Sequence, residues 1–420
     1  MLQKTLGNLG IGRRDFGLVF GLLVNAFTWL FFLRLIVEQT INTNYMIEQP
    51  NALTLIWSAF YLSIIGFGII GAVVSKRFSR TKFLRFWIIL GVIASLLPVM
   101  FNSFTVTNLA VVSAILGASF GIGMPSCLAL FAETTKVDNR GRVGGITFLV
   151  VSLVAPLLAA SFGSLKLTTT TIAIICATWR GIGLGVYYLE PKKEDVSAVT
   201  RTSYISIIRD RPFLLYFLAW LMFSIVDVME SSFFKKTVGE DLFNTMSLLE
   251  PAIATFFILI AGIMCDWIGR KKIVLSGFVA LGAAYAVMGF FHSNVFSWYL
   301  YSIVDGAAWG IFYLTFILIL WGDLSQQGSR EKYYALGSVP FFISYIIEQL
   351  MPEDLVPTVN GEPIIFLAFS LAAFFLFLAV LPLIFAPETL PEKKMELRRL
   401  KSFAEEAQKT KEKYESKMKN

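Results

Sequence analysis

The sequence predicts an all-α integral membrane protein, and three observations lead to that fold class. Hydrophobic residues make up 56% of the 420 residues and charged residues only 15%, whereas a soluble domain carries about a quarter charged residues. The apolar residues form runs of about 20, the length that a helix needs to cross a hydrocarbon core of about 30 Å. Lysine and arginine concentrate in the loops on one side of these runs. Together these observations exclude a soluble enzyme and a disordered chain.

Twelve segments are long and apolar enough to span a membrane, and we refer to them in order as the first to the twelfth span. Their uninterrupted apolarity and their glycine content are typical of helices, whereas the strands of a membrane barrel would alternate over about ten residues. The first segment has about 22 residues and no small-residue cleavage site after it, so we expect a permanent span and not a signal peptide. The predicted spans are 16–37, 52–75, 84–101, 106–132, 143–163, 168–189, 213–234, 248–266, 272–291, 297–321, 334–350 and 363–386.

The basic residues predict the orientation of the spans. Loops on one side of the membrane hold 31 of the 36 lysines and arginines, ten of them after Leu390. Lysine and arginine near helix ends resist translocation, so we expect this side, with both termini, to be cytoplasmic in a plasma-membrane protein. The net charge of +7 is therefore a topology signal, and nucleic-acid binding is not expected. We call this face of the molecule the basic-loop side.

The chain repeats itself at an offset of about 190 residues. GASFG at 117–121 matches GAAWG at 306–310, and GAVVSKRFSRTK at 71–82 matches GIMCDWIGRKK at 262–272. The repeat predicts two pseudo-symmetric six-helix bundles, an arrangement typical of secondary transporters, whose substrate site lies near the membrane midplane between the repeats. Two further matches occur in the same order: Glu133 and Arg140 with Asp323 and Arg330, and LEPKKE at 189–194 with APETLPEKK at 386–394. The predicted units are a first half at 1–189, a cytoplasmic connector at 190–212, a second half at 213–388 and a charged tail at 389–420.

A loop motif of the second half resembles that of a known family. In GIMCDWIGRKK, Gly262, Asp266, Gly269, Arg270 and Lys271 fit the pattern Gly-x-x-x-Asp-x-x-Gly-Arg-Lys of the major facilitator superfamily of secondary transporters. The resemblance implies a twelve-helix fold that opens alternately to the two sides of the membrane. It also implies a conformational role for this loop.

The first-half copy of the loop motif departs from the family pattern. It keeps Gly71 and Arg80, but Ser75 stands where the family prefers Asp and Phe78 where it prefers Gly. We therefore expect the charge contacts of the two loops to differ.

The acidic residues of the basic-loop side are candidates for a latch between conformations. A carboxylate at Asp266 is suited to accept hydrogen bonds from a neighbouring helix N-terminus or to pair with a cation. Glu133 with Arg140 and Asp323 with Arg330 allow the same interpretation. The alternative is that all of these residues form solvated turns that only anchor the topology.

Carboxylates within the spans are candidates for substrate or proton binding, because a charge at mid-helix costs about 2.5–3.5 kcal/mol on insertion scales. Asp227 and Glu230 lie one turn apart in the seventh span, and Asp305 lies in the tenth. The resemblance implies that the first, fourth, seventh and tenth spans line the cavity. We expect these acids to carry a coupling proton or to hold a cationic group of the substrate. The alternative is that they pair with Arg34 or line the outer mouth as solvated charges.

Other polar and aromatic side chains within the spans complete the candidate set. Asn25 is a candidate for lining the cavity, with a helix-packing hydrogen bond as the alternative. Arg34 is a candidate for pairing with Glu38 along the helix or with Glu230 across the halves, with snorkelling toward the interface as the alternative. Arg180 could anchor an anionic substrate or snorkel toward the cytoplasm. Trp309 could form part of an aromatic wall around a ligand or pack in the core.

The sequence as a whole predicts a secondary active transporter that moves a small organic solute by alternating access with coupling to protons. The seventh span carries acids and no Gln-rich segment of the kind that binds sugars. An organic ion is therefore a better candidate substrate than a sugar. The alternatives are an uncoupled facilitator and a membrane sensor that binds a ligand without moving it. We expect a monomer in contact with lipid, and no catalytic residue, metal or cofactor, because the chain has one histidine, scattered cysteines and no phosphate-binding glycine loop.

Overall fold

The computed structural model describes most of the membrane-embedded part of the chain. Part of the predicted connector and the predicted tail beyond Pro391 lie outside the described residues, and the side chains of 229–240, including that of Glu230, are not described either. The described residues are 10–43, 50–101, 103–165, 167–189, 202–237, 240–325, 328–350, 358–359, 362–363 and 365–391.

The described part of the chain is almost entirely helical. Its two short strands, Thr358–Val359 and Glu362–Pro363, pair antiparallel between the eleventh and twelfth predicted spans. The helices of the first half are Arg13–Asn42, Pro50–Val74, Arg80–Leu96, Val106–Gly121, Met124–Thr134, Arg140–Leu165 and Thr169–Ile182, with 3-10 turns at Ser75–Arg77, Leu97–Met100 and Gly183–Leu189. Those that follow are Tyr204–Ile208, Arg211–Thr237, Glu240–Ile268, Arg270–Phe291, Val295–Phe312, Leu320–Leu324, Arg330–Gly337, Val339–Leu350 and Ile365–Phe385.

Eleven helical segments of the described chain are long and apolar enough to cross a membrane. They correspond to every predicted span except the eleventh. That segment consists of two consecutive helices, Arg330–Gly337 and Val339–Leu350, which meet at Ser338. Pro340 lies just after the break and has no backbone N–H to continue the helical hydrogen bonds of the preceding turn. Neither helix alone has the length that a span requires.

The repeated glycine motif brings helices into close contact in the same way in both halves. A side chain at Gly117 or Gly121 would collide with the backbone of the second span, at Phe60 and Ile64. In the second half, Gly306 and Gly310 approach the eighth span equally closely. Small residues allow helix backbones to approach one another in a membrane, where packing and not water drives association.

The glycines of the loop motif have different roles. Gly71 packs against the backbone of Ile122, and Gly262 packs against the backbone of Gly141 in the other half. Both therefore belong to helix contacts and not to the turn. Gly269 has a φ of 111°, a conformation that disfavours side chains, and it forms the turn between the eighth and ninth spans.

The tenth span changes its winding between the middle of the molecule and the basic-loop side. Its α-helix ends at Phe312, and the segment Tyr313–Ile319, buried from Leu314 onward, is a π-helix. The helix Leu320–Leu324 then carries Asp323. Short π-helical segments are rare and often occur at functional positions.

Candidate functional site

A cavity of about 370 Å³ lies between the two halves. The first, second and fifth spans form its wall on one side, and the eighth and tenth spans with Val339–Leu350 form the other. This volume is within the range of pockets that bind small molecules. The lining residues are Phe27, Leu30, Phe31, Arg34, Tyr61, Val151, Ser152, Pro156, Glu250, Pro251, Ala254, Thr255, Ile258, Trp309, Tyr313, Phe341, Phe342 and Tyr345.

The wall of the cavity is mainly aromatic. Tyr61 from the first half stacks on Tyr345 from the second, with ring centroids 4.9 Å apart and planes at 11°. Phe341 packs edge-on against Tyr345 at 5.4 Å and tilted against Tyr313 at 5.8 Å. Pockets that bind small molecules are commonly lined in this way, by apolar and aromatic side chains with a few polar groups.

Arg34 is the basic residue that lines this cavity. Its guanidinium carbon lies 4.8 Å from the centroid of the Tyr345 ring, a cation–π contact. Glu38 and Glu348 influence it electrostatically. Within the described part of the chain, however, no carboxylate lies within the 4.0 Å ion-pair distance of Arg34.

Two of the candidate residues, Asp227 and Trp309, contact each other directly. The indole Nε1 of Trp309 donates a hydrogen bond of 3.0 Å to Oδ1 of Asp227. Phe223 packs edge-on against the Trp309 ring, with centroids 5.0 Å apart. This contact joins the seventh and tenth spans, and it places Asp227 directly behind the cavity wall.

Asp305 lies beside a second acid, Glu250, which was not among the residues predicted from the sequence. The Asp305 side chain is buried, and the Glu250 carboxyl group lies within hydrogen-bonding reach of it and lines the cavity. The predicted eighth span began at 248, which placed Glu250 at the membrane edge. The helix begins at Glu240, so Glu250 lies roughly 15 Å along it. An acid followed by proline at the start of an apolar run was the available signal.

Asn25 and Arg180 contact each other away from the cavity. Arg180 is fully buried, and its guanidinium carbon lies 4.2 Å from the Trp29 ring and 4.1 Å from the Trp87 ring. Its Nη1 donates to Oδ1 of Asn25 at 2.7 Å, and Nδ2 of Asn25 donates to the carbonyl of Trp179 at 2.7 Å. Neither residue lines the cavity, and both hold the first span against the sixth.

A network of charged residues joins the two halves on the basic-loop side. Arg140 of the first half pairs with Asp323 of the second, and Arg330 of the second half lies 3.6 Å from Glu133 of the first. The two charged pairs of the repeat are therefore exchanged between the halves. Arg80 pairs with both Glu133 and Glu331. We call Arg80, Glu133, Arg140, Arg142, Asp266, Arg270, Asp323, Arg330 and Glu331 the latch network.

Asp266 lies at the centre of the latch network and is fully buried. Its carboxylate accepts hydrogen bonds of 2.9 Å from the backbone amides of Gly141 and Arg142, at the N-terminus of the fifth span. Arg270 lies 3.3 Å from Asp266 and 2.9 Å from Asp323. A helix N-terminus attracts a carboxylate through its unpaired amides and its dipole.

The end of the twelfth span contacts the loop motif. Oε1 of Glu388 accepts a hydrogen bond of 2.8 Å from the backbone amide of Arg270, and Oε2 accepts one of 3.2 Å from that of Lys271. The Lys271 ammonium group donates to the carbonyl of Ile384 at 2.7 Å. Lys271 therefore caps the end of the twelfth span.

The last part of the connector packs against the basic-loop side. The Tyr204 hydroxyl donates a hydrogen bond of 2.6 Å to the carbonyl of Ile69, and Lys332 lies over the Tyr204 ring. Burial, with a smaller contribution from the Glu331 carboxylate, raises the pKa of Tyr204 to about 12. The connector thus contacts both halves.

Comparison with known proteins decides the family. The sequence model of the Major Facilitator Superfamily matches residues 18–347. The chain belongs to the major facilitator superfamily. Members of this superfamily are transporters, and the predicted resemblance is confirmed. No curated protein matches the chain.

Solved structures of superfamily members share the fold. The proton:xylose symporter XylE bound to 6-bromo-6-deoxy-D-glucose aligns with a TM-score of 0.68 at 14% identity, over 89% of this chain and 96% of XylE. The human organic anion transporter MFSD10 (TETRAN) aligns with a TM-score of 0.65 at 15% identity, over 88% of this chain and 99% of MFSD10. At these identities the similarity concerns the fold alone.

Proposed function

We propose that this chain is a secondary active transporter that moves a small organic solute by alternating access, with protons as the coupling ion. The observation that carries the proposal is the cavity between the halves, with Arg34 and Glu250 on its wall. A site at the boundary between repeats can be exposed to either side of the membrane when one half rocks against the other. The proposal includes a monomer in the plasma membrane with cytoplasmic termini.

The latch network supports a conformation that is closed on the basic-loop side. Arg140 and Asp323 belong to different halves, so they must separate when that side opens. The same holds for Asp266 and the amides at the start of the fifth span. With the basic loops in the cytoplasm, this conformation would present the cavity to the outside.

The acids near the cavity support coupling to protons. Glu250 and Asp305 lie side by side, and two neighbouring carboxyl groups with little access to water are costly to ionise together. One proton held by this pair could be released when the surroundings change in the other conformation. Asp227, behind Trp309, is a second candidate, and Glu230 remains a prediction.

The composition of the wall favours an organic ion over a sugar. A sugar needs many polar partners, whereas most of the lining side chains are aromatic or aliphatic. The fold neighbours transport solutes of both kinds, xylose for XylE and organic anions for MFSD10. The wall is more compatible with the second kind.

A flux assay in proteoliposomes tests the proposal. The purified chain is reconstituted and offered labelled sugars, carboxylates, amino acids and organic cations, with and without an imposed pH gradient. Accumulation that depends on the gradient supports coupled transport. Equilibration without accumulation would indicate an uncoupled facilitator, and binding without flux would indicate a sensor.

Single acid variants test the coupling step separately. We expect Glu250→Gln and Asp305→Asn to equilibrate the solute but to lose most of the gradient-driven accumulation, because an amide cannot carry the proton. Asp241→Asn is the matched control, since Asp241 is exposed at the start of the same helix as Glu250. Accumulation at the wild-type level in Asp227→Asn, Glu230→Gln, Glu250→Gln and Asp305→Asn would rule out all four as coupling groups.

A further inference from the structure

The charge of the transported solute can be inferred from the way Arg34 is held in the cavity. The arginines of the latch network are neutralised by carboxylates: Arg140 by Asp323, and Arg80 by Glu331 and Glu133. Arg34 contacts an aromatic ring instead, and no described carboxylate lies within ion-pair distance of it. A charged group within a span is costly and is usually paired or used for function.

The surroundings of Arg34 fit an anionic group of a ligand. The guanidinium group lies beside the stacked rings of Tyr61 and Tyr345, which exclude water from its apolar face. Exclusion of water strengthens a charge interaction, and the planar fork of arginine binds a carboxylate through two parallel hydrogen bonds. Glu38 and Glu348 lie farther away and reduce the positive potential without occupying this position.

The rest of the wall fits an uncharged, apolar body. Phe27, Phe31 and Phe342 line the cavity together with Arg34. Glu250 is the acidic residue that lines the cavity, and its neighbour Asp305 makes double ionisation of that pair costly. The wall thus offers an anion the guanidinium group of Arg34, whereas the acidic group that a cation would need, the Glu250 carboxyl, already contacts Asp305.

We infer that the solute is an organic anion, with a carboxylate or a similar group bound by Arg34 and an aromatic or aliphatic body packed against the rings of the cavity. This inference rests on the proposed function, since it takes the cavity to be the transport site. Arg34 is then the residue that selects the sign of the solute's charge.

Four solutes with the same phenyl body and different charge test the inference. Phenylacetate is an anion, phenethylamine a cation, phenylalanine a zwitterion and 2-phenylethanol is neutral at pH 7. The thermal unfolding temperature of the purified full chain is measured against each of them. A ligand that binds the folded state raises this temperature according to its concentration relative to its dissociation constant. We expect phenylacetate to raise it most.

Substitutions at Arg34 test whether its guanidinium group binds the anionic group of the solute. In Arg34→Gln the shift caused by phenylacetate, measured from the variant's own baseline, is expected to correspond to binding weaker by about ten-fold or more, whereas Arg34→Lys keeps the charge without the fork and loses less. Arg85→Gln is the matched control. The guanidinium of Arg85 also lies over a tyrosine ring, 5.1 Å from the centroid of Tyr187, but Arg85 does not line the cavity.

Three outcomes would contradict the inference. Stabilisation by phenethylamine in preference to phenylacetate would mean that the cavity selects cations. If phenylacetate raised the unfolding temperature of wild type and Arg34→Gln by the same amount, another group would bind the anion. If none of the four solutes raised the unfolding temperature, the cavity would not bind solutes with a phenyl body. These failures leave the proposed function standing if another solute accumulates in proteoliposomes. Binding of phenylacetate through Arg34 without flux of any solute would contradict transport and not the charge assignment.

Discussion

Arg140 of the first half pairs with Asp323 of the second, and the side chains of both residues are almost completely buried. In the sequence each belongs to a charged pair within its own half, with Glu133 and Arg330 as the other members. In the structure the pairs are exchanged, and Arg330 lies 3.6 Å from Glu133. On the basic-loop side the two halves are therefore joined by contacts that neither half can make alone.

Asp323→Asn is expected to open the basic-loop side. The substitution leaves Arg140 and Arg270 without the carboxylate between them, and breaking a buried pair by removing one partner costs about 3–5 kcal/mol. This cost falls on the closed conformation, where Arg140 and Asp323 meet. Spin labels at Ser79 and Lys272 report the change, because these residues are exposed, lie on the basic-loop side and belong to different halves.

The spin labels are attached to cysteines introduced at Ser79 and Lys272. The native cysteines Cys127, Cys176 and Cys265 are buried and therefore poorly accessible to the label. We expect longer distances between the labels in Asp323→Asn and unchanged distances in Asp241→Asn. Identical distance distributions in all three proteins would show that the Asp323 contacts do not hold the halves together.

Gly262→Ala is expected to weaken the contact between the fifth and eighth spans. The new methyl group would collide with the carbonyl of Gly141, a backbone atom that cannot move aside alone. Overpacking of this kind costs about 1–3 kcal/mol. The measurement is the thermal unfolding temperature in detergent.

The same substitution at Gly66 is the control for the glycine contact. Gly66 lies in the second span with open space where a methyl group would point, and alanine is the better helix former. Gly66→Ala should leave the unfolding temperature unchanged or raise it slightly. If Gly262→Ala behaves like Gly66→Ala, the close approach of the two spans does not contribute to stability.

Asn25→Ala is expected to lower stability without changing the affinity for the solute. Asn25 accepts the hydrogen bond from the buried Arg180 and donates one to Trp179, and loss of a buried partner of a charged group costs about 2–3 kcal/mol. Asn25 does not line the cavity. Thermal unfolding with and without solute separates the two effects, with the exposed Asn108→Ala as the control. A loss of affinity as large as that of Arg34→Gln would instead place Asn25 in the binding site.

The docking of the connector is expected to weaken at high pH. The pKa of Tyr204 is about 12 in the folded chain, against an ordinary value of 10.0. The folded protein thus retains a proton that the unfolded chain releases, so this contribution to stability is complete below pH 10 and is lost as the pH rises toward 12. Wild type should lose stability between pH 10 and 12 more steeply than Tyr204→Phe. Parallel losses would show that Tyr204 does not titrate as its burial implies.

The fold was largely predictable because membrane spans and repeats leave strong signals. The length of each apolar run is set by the hydrocarbon thickness. The repeated GASFG and GAAWG motifs indicated equivalent positions in the two halves, and the structure has equivalent helix contacts there. The eleventh segment was the exception. Its apolarity does not reveal that the helix breaks at Ser338.

The site was less predictable, because the rotation of each helix about its axis is set by packing. Asp305 stood out in the sequence because a carboxylate within a span is costly. Its neighbour Glu250 was missed, because a carboxylate near the start of a predicted span gives no sign of which helix it faces. Asn25 and Arg180 carried equally strong polar signals, yet both face the sixth-span contact and not the cavity. The exchange of partners between Arg140 and Arg330 depends on contacts between the halves, which no local pattern records.

The central claim is that the cavity between the halves carries a solute whose movement is coupled to protons. The most direct test measures solute accumulation in proteoliposomes under an imposed pH gradient, for wild type and for Glu250→Gln, using the solute that the flux panel selects. We predict that wild type accumulates the solute above its external concentration and that Glu250→Gln only equilibrates it. Equal accumulation by both proteins would contradict the coupling role of Glu250, and no movement of any solute by wild type would contradict the proposed function itself.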